Sequence, residues 1–114
     1  MKKVTFYKMI RDPRENYATP QASTGYKQTY NYYDPSGRDA FEISLIFEKR
    51  AFDWAITEEK TGFLVRGNFR TRKEAEKSVT PELLKAINEK LPGLNYYITL
   101  VNIERGKREA ARCF

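Results

Sequence analysis

Few residues in this chain could carry out catalysis. It has no histidine and a single cysteine, Cys113. Histidine is the commonest general base and, together with cysteine, the usual zinc ligand, so these residues cannot supply either kind of site. Paired carboxylates could act as a hydrolytic dyad, but acids beside turns and strands are usually solvated. We therefore predict a protein that binds a partner, is not an enzyme, and needs no cofactor or metal.

Tyrosine is the residue type that most favours a binding function. Five of the eight tyrosines fall between residues 11 and 39, where arginines and lysines are interleaved with them. Aromatic rings that stack on bases beside cations that neutralise phosphates hold single-stranded nucleic acid. The same rings could instead cover one face of a sheet, because this stretch has almost no aliphatic side chains. The candidate contact residues here are Tyr26, Tyr30, Tyr32 and Tyr33.

A second candidate site is a group of cations around the start of a predicted helix. The amides and macrodipole at a helix N-terminus favour anions, so phosphates are the expected ligands. The net charge of +6 and the pI near 9.5 would attract a polyanion over a longer range. The cations of this group are Arg66, Arg70, Arg72, Lys73 and Lys77.

The first third of the chain is predicted to form one strand and one long loop. Residues 3–10 are rich in β-branched and aromatic side chains and alternate loosely, which predicts a strand. Residues 11–39 contain three prolines and two glycines. They predict a long Tyr-rich loop, of a length typical of functional or mobile segments. Within it, Asp34-Pro35-Ser36-Gly37 predicts a tight turn.

Period-two alternation predicts three further strands. Apolar side chains alternate with polar ones over residues 41–47 and again over residues 52–57, and the chain returns over residues 63–66. Lys60-Thr61-Gly62 supplies the glycine that a hairpin bulge usually requires.

Two helices and a final strand should complete the domain. Thr71 and Glu74 form a capping box for a helix that reaches about Val79. Thr80-Pro81 starts a second helix, which ends near Leu91. Residues 96–103 are predicted as a strand and residues 104–114 as a basic tail. The expected architecture is α+β, with residues 1–114 as a single domain. It has an antiparallel sheet of about four to five strands, packed by one or two helices.

Part of the chain resembles a known DNA-binding module. Trp54-x-Ile56-Thr57, Lys60-Thr61-Gly62 and the run from Asn68 to Glu76 are similar to motifs of the arm-type module at the N-terminus of some tyrosine recombinases. The match covers residues 41–79, about a third of the chain. It implies three antiparallel strands followed by one helix, with DNA read by the exposed sheet face. In this chain that face would carry Glu42, Glu48 and Asp53.

Two functions remain open at this point. The first is a small basic protein, from a phage or mobile genetic element, that acts on nucleic acid or on a nucleoprotein complex. The second is a protein-binding inhibitor, such as an anti-CRISPR protein, that uses the Tyr-rich loop as its interface with a CRISPR effector. No apolar run is long enough to span a bilayer and no signal-peptide core follows the first lysines, so we expect a cytoplasmic protein without a membrane partner. The sequence leaves the oligomeric state open.

Overall fold

The described part of the chain forms one antiparallel sheet followed by three helices. The computed structural model describes residues 1–11, 13–14, 18–33, 36–38 and 40–112, with side chains as far as residue 110. The strands are β1 (Lys2–Arg11), β2 (Ala18–Tyr33), β3 (Ala40–Lys49), β4 (Trp54–Glu58) and β5 (Leu64–Phe69), which lie in the sheet in chain order. The helices are α1 (Arg72–Lys77), α2 (Pro81–Lys90) and α3 (Asn95–Arg112), and a 3-10 turn, Leu91–Leu94, joins the last two. The predicted α+β class and antiparallel sheet are confirmed.

One face of the sheet carries the main hydrophobic core. Ile43, Leu45 and Phe47 of β3 share this face with Ile56 of β4, because successive side chains of a strand point to opposite sides. All four are buried, and α1 and α2 cover them with Ala75, Leu84 and Ile87. We call this the helical face. The apolar side chains of the predicted strands and of the two predicted helices therefore meet in one core.

Strand β2 is long and changes partner near its middle. Residues 18–27 pair with β1, whereas residues 26–33 pair with β3, so the two ladders overlap only at Tyr26 and Lys27. At Gly25, beside this overlap, the Cγ2 methyl of Ile46 lies 2.6 Å from the place a Cβ atom would occupy. A glycine is therefore required for the backbone of β2 to approach β3 this closely.

The β1–β2 hairpin lies against the second face of the sheet. Lys8 and Ser23 both donate hydrogen bonds to the carboxylate of Glu48 on β3. The backbone N–H of Met9 donates to the carbonyl of Gly62, in the turn between β4 and β5, at 2.8 Å. Phe6 and Ile46 are fully buried on this side. We call it the enclosed face.

Threonine caps begin the two shorter helices. Thr71 accepts a hydrogen bond from the N–H of Glu74 at 3.1 Å, and the Glu74 carboxylate accepts one from the N–H of Arg70 at 2.8 Å. Thr80 accepts from the N–H of Leu83 at 3.2 Å, with Pro81 as the first helical residue. Both predicted helix starts are confirmed.

The prediction of a loop over residues 11–39 is wrong for most of its length. Ala18–Tyr33 is a strand of 16 residues. Its apolar surface consists of Tyr26, Tyr30 and Tyr32, which pack against the core. Pro20 is tolerated because it lies in the half of β2 that has a partner on one side only. Of the turn predicted at Asp34-Pro35-Ser36-Gly37, Gly37 has the positive φ of 70°, while Asp34 and Pro35 lie outside the described residues, as do Tyr17 and Cys113.

The predicted final strand is a helix instead. Residues 96–103 lie in α3, and so does most of the predicted tail. The β-branched and aromatic run favours a strand locally. However, its more covered side chains Tyr97, Val101 and Glu104 follow the spacing of one helix face. The charged residues and alanines that follow are good helix formers, so the helix continues to Arg112.

Candidate nucleic-acid interface

Two aromatic rings lie side by side at one end of the helical face. Tyr26 of β2 is directly opposite Phe47 of β3, and Trp54 of β4 is directly opposite Lys49, so the two rings flank β3 on the same side of the sheet. Their centroids are 6.3 Å apart and their planes are tilted by 35°. Both side chains are half-buried, because one part of each packs on the core.

Cations surround this ring pair. The guanidinium of Arg72, the first residue of α1, lies over the Tyr26 ring, 5.0 Å from its centroid. Lys3 is directly opposite Tyr26 on β1, and Lys49 is directly opposite Trp54. Both lysines are exposed, and neither pairs with a carboxylate among the residues that the structure describes. Arg72 is also 3.5 Å from the carboxylate of Glu76.

A depression of about 280 Å³ lies between the two rings and the two lysines. We call it the aromatic groove, and no carboxylate lines it in the described part of the chain. Its lining residues are Lys3, Thr24, Gly25, Tyr26, Lys49 and Trp54.

No protein-family model, curated protein or solved structure matches this chain.

A rigid turn adjoins the aromatic groove. It joins β3 to β4 directly after the Lys49–Trp54 pair, and the N–H of Arg50 donates to the carbonyl of Asp53 at 2.8 Å. The Arg50 guanidinium donates through Nε to Asp53 Oδ1 at 2.7 Å and through its terminal nitrogen to Oδ2. Asp53 Oδ2 also accepts from the N–H of Asn68 on β5 at 2.7 Å. These contacts fix the turn to itself and to the neighbouring strand.

The electrostatics of the turn follow from these bonds. The hydrogen bond from Arg50, then the one from the Asn68 backbone, lowers the pKa of Asp53 to about 2. A doubly hydrogen-bonded arginine–carboxylate pair also neutralises most of the local charge. At the tip of the turn, the side chain of Phe52 is fully exposed.

The structure separates the predicted tyrosines. Tyr26, Tyr30 and Tyr32 share the helical face of β2, and only Tyr26 reaches the aromatic groove. Tyr32 stacks on Phe41 with a centroid distance of 4.7 Å. Burial, followed by the charge of Glu76, raises the pKa of Tyr30. Tyr33 remains 72% exposed. Tyr30 and Tyr32 thus pack the sheet, which is the second of the two roles considered for these rings.

The predicted basic cluster is only partly assembled. Arg70, Lys73 and Lys77 are exposed around α1, and Arg66 is exposed on β5. However, α1 has only six residues, the N–H of Glu74 donates to the Thr71 cap, and the N–H of Arg70, just before the helix, donates to the Glu74 carboxylate. Arg72 is the member of this cluster that contacts an aromatic ring of the groove.

The sheet face implied by the recombinase resemblance is covered. Glu48 is buried with Lys8 and Ser23 on the enclosed face, and Asp53 is bound by Arg50. Of the three acids expected on that face, Glu42 is the exposed one. The β1–β2 hairpin therefore occupies the space that DNA would need for readout through this face.

The carboxylates Glu58 and Glu59, adjacent in sequence, have separate partners. Burial raises the pKa of Glu58, although the N–H groups of Lys60 and Thr61 donate to it at 2.8 and 3.0 Å. Glu59 forms an ion pair with Lys27 at 3.0 Å. Across the residues that the structure describes, no three or more acids or cysteines lie together as possible metal ligands. No helix described here has the length and apolarity needed to cross a membrane.

Sequence reasoning missed three members of the groove as contact residues: Lys3, Lys49 and Trp54. Tyr26, Tyr30 and Tyr32 occupy alternate positions of one strand, and this spacing could have revealed β2. Because β2 was not predicted, its pairing with β1, which brings Lys3 opposite Tyr26, could not be predicted either.

Proposed function

We propose that this protein binds nucleic acid, free or within a nucleoprotein complex, through the aromatic groove. One observation carries the proposal: two half-buried rings flanked by three cations, two of which have no acidic partner in the described structure. Rings contribute stacking with bases, whereas cations neutralise phosphates. The proposal includes action in the cytoplasm without catalysis.

The electrostatic surroundings favour an anionic ligand with aromatic groups. A cation beside an acid, as in the Lys27–Glu59 pair, is already compensated, so a phosphate gains little there. Lys3 and Lys49 lack such compensation, and they lie directly opposite Tyr26 and Trp54 on the neighbouring strands. A nucleotide chain offers both the negative charge and the flat apolar surface that this arrangement complements.

The resemblance to the recombinase module supports the same class of ligand. Residues 41–79 contain β3, β4, β5 and α1 in chain order, which is the order that the resemblance implies. Because the enclosed face is covered, we place the proposed contact on the side of the sheet that carries the helices. The proposed origin in a phage or mobile element depends on this resemblance alone.

Salt dependence tests the proposal directly. We would titrate a labelled single-stranded oligonucleotide and follow fluorescence anisotropy at several salt concentrations. Each phosphate contact contributes about 0.7 to the slope of log K against log salt for a single strand. The double variant Lys3→Gln/Lys49→Gln should therefore bind more weakly and reduce the slope by up to about 1.4.

A matched variant removes the same charge elsewhere. Lys60 lies in the turn at the far end of β4 from Trp54, and Lys90 lines a groove near that turn. Lys60→Gln/Lys90→Gln should leave the slope unchanged. An equal loss of affinity in both double variants would mean that net charge alone drives binding. If the affinity of the native chain hardly varies with salt, the proposal is rejected.

The alternative function, a protein-binding inhibitor such as an anti-CRISPR protein, has one structural feature in its favour. Tyr33 is exposed at the end of β2, where an aromatic side chain could anchor a protein partner. Affinity capture with the native chain, repeated after nuclease treatment, separates the two functions. A specific protein that is retained after nuclease and lost on Tyr33→Ala would favour the inhibitor.

A further inference from the structure

We propose that Phe52 is the outer stacking residue of this site and that the ligand is therefore an unpaired strand. This inference rests on the proposed function and specifies the ligand of the same groove. It assigns a role to a side chain that packing does not explain, because Phe52 is fully exposed.

The turn that carries Phe52 is held by backbone and side-chain hydrogen bonds. Arg50 and Asp53 are joined by a backbone hydrogen bond and by the guanidinium–carboxylate pair, and Asp53 also holds the N–H of Asn68. Gly67 leaves room for this pair, since a Cβ atom there would lie 2.7 Å from a terminal nitrogen of Arg50. A ring held on a preorganised support loses less freedom when a ligand binds.

Phe52 is close in the chain to one ring of the groove. It is two residues from Trp54, so their Cα atoms are at most about 7 Å apart. Successive stacked bases rise by about 3.4 Å along a strand, so an upper limit of about 7 Å keeps Phe52 within reach of a base next to, or one beyond, a base on Trp54. The surroundings also fit a nucleotide better than lipid or an apolar protein pocket. Lys49 is exposed and unpaired in the described structure, and Arg50 compensates the charge of Asp53.

The same geometry selects an unpaired strand. Tyr26 and Trp54 are half-buried within the groove, so only bases that leave a duplex can place their faces on them. In a duplex those faces are already stacked within the helix. Phe52 would then cover the next base outside the groove.

Substitution of the exposed ring provides the test. Phe52→Ala should weaken binding of a single-stranded oligonucleotide about tenfold, in the range of one base–aromatic stack. Its salt slope should equal that of the native chain, because no phosphate contact is lost. Phe52→Trp should restore binding, and a duplex of the same sequence should bind more weakly than the single strand.

The control is Tyr33→Ala, which removes another exposed ring at the opposite end of β3. It should bind like the native chain. Circular dichroism of Phe52→Ala should be native, because the side chain has no packing to lose. Vesicles containing anionic lipid serve as a second probe, and Phe52-dependent binding to vesicles but not to the oligonucleotide would overturn this inference.

The outcomes separate this inference from the proposed function. If Phe52→Ala binds as tightly as the native chain while Lys3→Gln/Lys49→Gln binds more weakly, the role of Phe52 is rejected and the nucleic-acid function stands. If the duplex binds as tightly as the single strand, the unpaired ligand is rejected. If the native chain binds no oligonucleotide at low salt, both proposals fail.

Discussion

At the scale of single residues, one carboxylate ties the β3–β4 turn to the edge of the sheet. Asp53 accepts from Arg50 and from the backbone of Asn68, whose φ of 65° is the positive one among the described non-glycine residues. Because the Asp53 carboxylate accepts from the N–H of Asn68, this amide is hydrogen-bonded even though the pairing of β5 with β4 is irregular. Such bulges also make an edge strand a poorer template for pairing with another chain.

The lowered pKa of Asp53 predicts a pH dependence of stability. The pKa falls from the ordinary 3.8 to about 2 on folding, so the charged form stabilises the fold at pH values above 3.8. This contribution should be lost as the pH drops from 3.8 toward 2. Urea denaturation should therefore show that the native chain and Asp53→Asn differ less in free energy of unfolding as the pH falls over this interval.

Glu89→Gln is the control for this experiment. Glu89 is exposed on α2 and forms no ion pair within the described structure. The difference in free energy of unfolding between Glu89→Gln and the native chain should not shrink in this way between pH 3.8 and 2. If the difference in free energy of unfolding between the native chain and Asp53→Asn stays constant over this pH interval, the carboxylate is not stabilised by its partners.

At the scale of elements, the shape of β2 depends on one glycine. The strand pairs with β1 over one half and with β3 over the other, and Gly25 lies beside the overlap. Its backbone approaches β3 where the Ile46 methyl already fills the available space. This close approach connects the sheet to the hairpin that covers its enclosed face.

Two glycine substitutions should have opposite effects on stability. Gly25→Ala places a Cβ atom 2.6 Å from Ile46 Cγ2 and 3.0 Å from the Phe47 carbonyl oxygen, which is overpacking. We expect a loss of about 1–3 kcal/mol in the free energy of unfolding. Gly106→Ala, inside α3 with nothing within 4 Å, should stabilise by about 0.5–1 kcal/mol. Urea denaturation at one temperature measures both, and a neutral Gly25→Ala would contradict the close approach.

At the scale of the whole molecule, a partly buried ion pair holds the β1–β2 hairpin on the sheet. Lys8 Nζ lies 3.2 and 3.1 Å from the two carboxylate oxygens of Glu48, and Ser23 donates to the same carboxylate. The Glu48 side chain is 8% exposed and that of Lys8 27%. A buried charge that loses its partner costs more than the pair contributes, so both residues must remain together.

A double-mutant cycle should reveal this coupling. Lys8→Met and Glu48→Gln should each destabilise the fold, and the double variant should lose less than the sum of the two. We expect a coupling free energy of about 0.5–3 kcal/mol from urea denaturation. The exposed Lys107–Glu104 pair on α3, at 3.3 Å, provides a comparison whose coupling should stay below about 1 kcal/mol. Additive effects at Lys8 and Glu48 would show that the hairpin is not held by this ion pair.

Local patterns were sufficient to predict β3, β4, β5, α1 and α2. Their alternation, capping threonines and turn glycine act within a few residues, so the sequence by itself specifies them. Gly62, for example, has the positive φ of 73° that its turn required. The absence of histidine and the high net charge are likewise properties of the chain alone.

Only the tertiary structure decided β2, α3 and the aromatic groove. Tyrosines supply the apolar face of β2, and their burial depends on helices that begin 40 or more residues later in the chain. The strand-like run at the start of α3 is helical in the fold, where Val101 is fully buried and Tyr97 packs edge-on against Phe63 before β5. The groove brings together Lys3, Tyr26, Lys49 and Trp54 from four strands, and their proximity depends on register. Register is set by packing between distant segments, which no local pattern records.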